Sequence, residues 1–252
     1  MRAIRRRIAR PFRNRAKQAQ ERGAWADALG YLQIVKRLNP QNLSILLPTA
    51  NMQAELGQYD EAEATFRTAS VLPEYLIPAL IGLAAVSQRR NDWPEAQLRW
   101  EAVLKTMAQQ QSNGPDATTS WPMSPAEVLL HIALARDMIG DATGAEADLM
   151  LGMALQPSIR RSAGAALMRA RLLAPTDSRA AYLILRKANR RYPDDYSILY
   201  ELTKAAAIAG QSGEAQACAR ALIALDPGNE NTRSMIRDRG LLIGADQENV
   251  VV

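Results

Sequence analysis

Six alanines, Ala28, Ala62, Ala96, Ala145, Ala181 and Ala215, each stand five residues after a turn position, occupied in order by Gly23, Gly57, Asn91, Gly140, Thr176 and Gly210. Their spacings of 34, 34, 49, 36 and 34 residues describe one unit written six times, with an insertion after the third copy. A chain built this way is quasi-one-dimensional. Each copy buries its apolar face against its neighbours, and function lies in the surface the stack presents.

Other columns keep the same register. Four residues after each alanine stand Leu32, Phe66, Trp100, Leu149, Leu185 and, as the small exception, Ala219; three further on stand Val35, Ala69, Val103, Gly152, Ala188 and Leu222. Steps of four and three place these side chains on one stripe of a helix. Pro40, Pro157, Pro193 and Pro227, with Pro73 one residue early, end that helix, because the residue before proline is driven out of the helical region. Upstream of the turns, Leu83 with Ala84 and Ile132 with Ala133 mark a first helix with a small residue for close approach. Each unit reads as helix, turn, helix.

These residues resemble the tetratricopeptide repeat family, whose pattern joins a small first-helix residue to a turn glycine, an aromatic, an alanine and a terminal proline. The match is specific in GAWADALGYLQIVKRLNP, GQYDEAEATFRTA and NDWPEAQLRWEAV, where Trp25, Tyr59 and Trp93 take the aromatic position. Later copies depart from it: Ala142, Ser178 and Ser212 replace the aromatic, and Arg169 and Thr203 stand where a small residue is usual. In the first copy Ala16 fits the small position, while Arg15 and Ala19 do not match. The resemblance covers roughly residues 11 to 228 and implies an all-α, right-handed helical-hairpin solenoid of about six units, as one domain or as two lobes of three. The expected organisation is a basic segment over 1–20, repeats one to three over 11–106, an insertion over 107–124, repeats four to six over 125–228, and a capping helix with Met235 and Ile236 plus a tail over 229–252.

The residues give catalysis little support. A single histidine, His131, excludes a two-histidine metal set, and no Ser-His-Asp or Cys-His arrangement, phosphate loop or dinucleotide fingerprint is present. His131 reads as a surface or groove-lining residue, and Asp194 and Asp195 read as caps of the helix that follows them. Cys218, the only cysteine, falls three residues after Ala215 and reads as a packed thiol in a reducing, cytoplasmic setting. No enzyme activity, cofactor or metal is expected.

Charge is concentrated at one end. Residues 1 to 20 hold Arg2, Arg5, Arg6, Arg7, Arg10, Arg13, Arg15 and Lys17 and no acid; this +8 exceeds the chain's +5, so the remainder carries −3. Ile4, Ile8 and Phe12 form a narrow apolar stripe among the arginines, with Pro11 interrupting the helix. Such a segment fits an anionic membrane surface, contacted through Arg2, Arg5, Arg6, Arg7, Arg10 and Arg13, or an acidic partner; a frayed leader over 1–10 is the plainer alternative. Nucleic acid is disfavoured, because stacking aromatics are nearly absent.

The insertion gathers Gly, Pro, Ser, Thr and Gln after a helix extended through Gln111, and Ser124 with Pro125 and Glu127 reads as the next helix's cap. Trp121 within it either packs over its neighbouring repeats or anchors a partner.

The resemblance also implies a concave groove lined by first helices. Projected onto this chain, its positions include Lys17, Leu47, Asn51, Ile81, Ala85, Arg89, Leu130, Leu134, Ala170, Tyr200 and Lys204. Lys17, Asn51 and Arg89 resemble the family's carboxylate clamp; the rest is largely apolar, suited to an amphipathic or extended peptide. The expected function is a protein-binding adaptor. The alternatives are an accessory subunit of a membrane-associated enzyme complex, such as glycosyl-transfer machinery, and a self-assembling homo-oligomeric scaffold.

Overall fold

A computed structural model describes residues 2–112 and 121–241, with side chains from Arg7 onward. The described residues form thirteen α-helices, three short 3-10 turns and no strand. The helices are α1 (Arg2–Glu21), α2 (Trp25–Leu38), α3 (Leu46–Glu55), α4 (Tyr59–Ser70), α5 (Leu76–Arg89), α6 (Trp93–Ser112), α7 (Pro125–Met138), α8 (Ala142–Leu155), α9 (Ala163–Leu173), α10 (Ser178–Asn189), α11 (Tyr196–Ile208), α12 (Ser212–Leu225) and α13 (Glu230–Asp238). No described helix is long and apolar enough to cross a membrane.

The turn column explains why the chain reverses where it does. Gly23, Gly57, Asn91, Gly140 and Gly210 all have φ between 59° and 89°, a left-handed conformation that glycine and asparagine adopt at little cost. Thr176 does not; there the reversal relies on Asp177, whose carboxylate accepts from the Ala180 amide at 2.8 Å and caps α10. All six column alanines are at most 1% exposed, and the apolar columns after them are buried as well. The prolines lie just beyond the ends of α2, α4, α8, α10 and α12. Ser124 and Glu127 form a reciprocal capping box on α7, and Asp195 caps α11 through the Ile198 amide at 3.0 Å.

The chain divides into two compact units, Met1–Gly140 and Asp141–Val252. In the first, α1 packs on α2, α3 on α4 and α5 on α6, with each second helix also touching the first helix of the next repeat and α3 touching α5 directly. The second repeats this pattern from α9 to α12, and α9 touches α11. Pairs that contact mainly their sequence neighbours make a helical-hairpin solenoid. The core of the first unit runs from Ala16, Ala28 and Leu32 through Phe66 and Ala69 to Trp100, Val103 and Ile132. Close approach of α4 and α5 depends on Gly82, where any Cβ would overlap the Phe66 ring.

In the second unit Leu185, Leu202, Ala219 and Leu222 form the core, and α13 covers its end with Met235 and Ile236. Cys218 is free, buried in this core, and its thiol is pushed up to about 11 by burial and then by Glu214.

Two expectations need correction. Pro11 does not interrupt α1, which runs unbroken from Arg2 to Glu21. The lost N–H bond is outweighed by docking: Ala9, Phe12, Ala16 and Ala19 pack against α2 on both sides of the proline. For the same reason residues 2–10 are helix and not a frayed leader, whereas Ile8 of the supposed apolar stripe is 51% exposed. The tail beyond Leu241 and residues 113–120 of the insertion lie outside the described residues.

Candidate functional site

Several expected groove residues on the first helices of the N-terminal unit are half-buried. Leu47 on α3 is half-buried against the cluster around Phe66, and Ile81 and Ala85 on α5 are half-buried against the cluster around Trp100. Leu130 and Leu134 on α7 are half-buried, while their neighbours Leu129, Ile132 and Ala133 fill the core. Helical geometry produces this division, since a step of one residue turns a side chain by about 100°.

The polar members behave differently from a free clamp. Lys17, Asn51 and Arg89 are exposed, but Arg89 Nη2 donates to Glu55 Oε1 at 2.6 Å, tying α5 to α3, and Lys17 lies 3.8 Å from Glu21 one turn along α1. In the C-terminal unit Lys204 sits 2.8 Å from Glu201 and 5.3 Å above the Tyr200 ring, which stacks on Tyr196. Ala170 corrects the projection: it is 3% exposed, packed with Leu199 and Ala181, and unavailable to a ligand.

Sequence reasoning missed the polar contacts that join α5, α6 and α7. Gln88 Oε1 on α5 accepts from Trp100 Nε1 at 3.3 Å and lies 3.0 Å from His131 Nδ1 on α7, while the His131 ring stacks on Trp100 with centroids 4.4 Å apart. The shared acceptor assigns the Nδ1–H tautomer to His131. Burial lowers the His131 pKa below its ordinary 6.5, against a smaller upward pull from Glu127, so the ring is neutral. A second polar group centres on α4, where buried Glu63 accepts from Arg67 at 2.7 Å and Arg99 at 2.6 Å. Arg99 also donates to Glu95 and to the Leu83 carbonyl, joining α4, α5 and α6. Burial opposes the Arg99 charge, yet the hydrogen bonds it donates to Glu63 and Glu95 push its pKa upward. Opposite charges about one repeat apart in sequence were the available signal.

Trp121 lies half-buried with Met123 against the α5–α6–α7 cluster, the packing over neighbouring repeats that the sequence suggests, and not the alternative of a partner anchor. Along α1, Arg7, Arg10 and Arg13 are exposed; the side chains of Arg2, Arg5 and Arg6 lie outside those described. Two clefts open beside α1. One of about 500 Å³ has Arg7, Arg10 and Arg13 facing Val35, Asn39 and Asn42. The other, of about 410 Å³, places Arg13 and Lys17 above Ala28, Leu32 and Met52. Among the described residues no three His, Cys, Asp or Glu side chains are grouped to hold a metal ion.

No protein-family model and no curated protein matches this chain. Solved structures do. The chain is similar to PilW, a type IV pilus biogenesis factor, with TM-score 0.63 and 18% identity over 91% of this chain and 98% of that one. It is similar to a tetratricopeptide repeat protein of Parabacteroides merdae, with TM-score 0.58 and 14% identity over 96% and 97%. It also resembles PilF of Pseudomonas aeruginosa, with TM-score 0.57 and 15% identity over 93% and 99%. At these identities the likeness is one of fold, and the fold is that of tetratricopeptide repeats.

Proposed function

We propose that this chain, a tetratricopeptide-repeat solenoid by fold, is a non-catalytic protein-interaction scaffold that holds an apolar or amphipathic peptide segment on its first-helix face. The observation that carries the reading is the set Ile81, Ala85, Leu130 and Leu134, apolar side chains left partly exposed on first helices that pack into the core through Ile77, Ala84, Leu129 and Ile132. Burial of such side chains against a partner contributes about 25 cal/mol per Å² of apolar area, and helix-in-groove recognition uses anchors at this spacing. The engagement of His131, the one histidine, in a structural hydrogen bond and stack supports a binding role over chemistry.

The test is affinity capture with the wild type and with Ile81→Glu combined with Leu130→Glu, at matched helical content by circular dichroism. Loss of the captured partners supports the reading, and an unchanged set refutes it. The identity of the partner then sorts the special cases: an enzyme makes the chain an accessory subunit, and a second copy, seen by light scattering, makes it a self-assembling scaffold.

A further inference from the structure

A second concentration of charge lies inside the part of the chain whose sum is −3. Residues 157–191 hold nine basic residues and one acid, Asp177, for a net +8, so everything outside this stretch and residues 1 to 20 carries −11. The stretch belongs to the C-terminal unit, and the fold gathers its charge further. The 3-10 turn Pro157–Arg161 after α8 docks on the end of α10, where Arg191 Nη1 and the Tyr192 hydroxyl both donate to the Arg161 carbonyl, at 3.3 and 3.0 Å. Arg160 and Arg161 thereby stand beside Arg190 and Arg191, and all four are exposed. Arg186 pairs with Glu214 at 3.3 Å, but these four form no ion pair among the described residues. The carbonyl end of α10 favours nearby cations with roughly half a charge, too little to account for four.

The helix that leads into this turn is apolar on the side it shows to solvent. From Leu149 to Leu155, α8 has no polar side chain. Leu149, Gly152 and Met153 are buried, while Met150, Leu151 and Leu155 are 59%, 49% and 60% exposed, with Ala154 exposed among them. Helical steps put the exposed set on one stripe. The acids of α8, Glu146 and Asp148, stand in its N-terminal half, away from the arginines.

We propose that this end of the C-terminal unit is an interfacial membrane contact: Met150, Leu151 and Leu155 enter the boundary between headgroups and acyl chains of an anionic bilayer, and Arg160, Arg161, Arg190 and Arg191 pair with its headgroups. The site is distinct from α1 and from the first-helix face, and it does not rest on the peptide reading. Charge complementarity selects an anionic surface. The apolar stripe beside the arginines argues against nucleic acid, whose phosphates gain nothing from Met or Leu and whose bases stack on exposed aromatics; Tyr192 is half-buried with its hydroxyl engaged. Two copies meeting through this patch would bring like charges together. A protein partner must offer a matched pocket to each of three flexible aliphatic side chains. A bilayer is fluid and takes them up wherever they stand, to a depth of about 5–10 Å.

The experiment labels Leu151→Cys with the environment-sensitive dye NBD, which buried Cys218 does not take up, and titrates the full chain with vesicles of phosphatidylcholine alone or mixed with phosphatidylglycerol. Emission is expected to shift to the blue with the anionic vesicles only, and less so in high salt. Replacing the four arginines (R160Q, R161Q, R190Q, R191Q) is expected to weaken vesicle binding, read by that shift, about a hundredfold or more, since each basic side chain near an anionic surface is worth about fivefold. All four positions are exposed, and matched helical content by circular dichroism checks the fold. Chains carrying R7Q, R10Q and R13Q, or Ile81→Glu with Leu130→Glu, still show the shift. No shift with anionic vesicles, an equal shift with neutral ones, or a shift that survives the four substitutions overturns the proposal. So does vesicle binding that leaves the label in water, which assigns the contact to another surface such as α1. A blue shift produced equally by poly-glutamate, by oligo-dT or by raising the protein concentration without lipid overturns it in favour of an acidic protein, a nucleic acid or a second copy.

Discussion

At the scale of single residues, two positions show how much this chain depends on fit. Gly82 gives up helix propensity worth about 1 kcal/mol relative to alanine. It does so because a Cβ there would run into Phe66, which is 2% exposed and has nowhere to move. Overpacking of that kind costs about 1–3 kcal/mol, more than the propensity gained. Gly82→Ala is therefore expected to lower the Tm, and in a Phe66→Leu background the same change is expected to be neutral or stabilising; a double-mutant cycle by thermal melting checks both. His131 makes a prediction in pH. Its native pKa lies below 6.5, so the unfolded chain binds the proton first as pH falls. Stability contributed by the neutral ring is complete above the unfolded pKa and declines as pH drops through 6.5 toward the lowered native value. Tm followed from neutral pH downward is expected to fall more for wild type than for His131→Phe, which keeps a ring on Trp100 and cannot titrate.

At the scale of helices and their contacts, local chemistry was legible and rotation between helices was not. The turn column, the prolines, Ser124 and Asp195 act within a few residues, and each ends or begins a helix where the sequence places it. The local penalty of Pro11 suggests a break, but it competes with burial of Ala9 and Ala16 against a helix farther along the chain. Ala170 lies in the core and not in the groove because a small rotation of α9 separates the two positions, and sequence does not fix that angle. The Gln88–His131 bond joins residues 43 apart and needs α5 and α7 in place first. Glu63 escaped notice for the same reason, although Arg99 stands 36 residues on. Glu63→Gln keeps the size and removes the charge that Arg99 and Arg67 share; a loss of about 2 kcal/mol is expected in urea melts, since Arg99 retains Glu95 but is partly desolvated.

At the scale of the whole molecule, a repeat array must close its open ends. In the C-terminal unit α13 does this with Met235 and Ile236, which are 6% and 0% exposed over Ala219 and Leu222. A chain stopped after Gly228 would present that core to water, so it is expected to aggregate and to bind a hydrophobic dye where the uncut chain does not; size-exclusion chromatography and dye fluorescence check this. The N-terminal unit ends differently, on the basic face of α1. Between these ends, Glu55 with Arg89, Glu63 with Arg99 and Glu101 with Arg136 each link a repeat to its successor across 34 to 36 residues. These bridges act as an address. A shuffled gene that transposed the second and third repeats would keep every alanine in place and still set the wrong charges side by side.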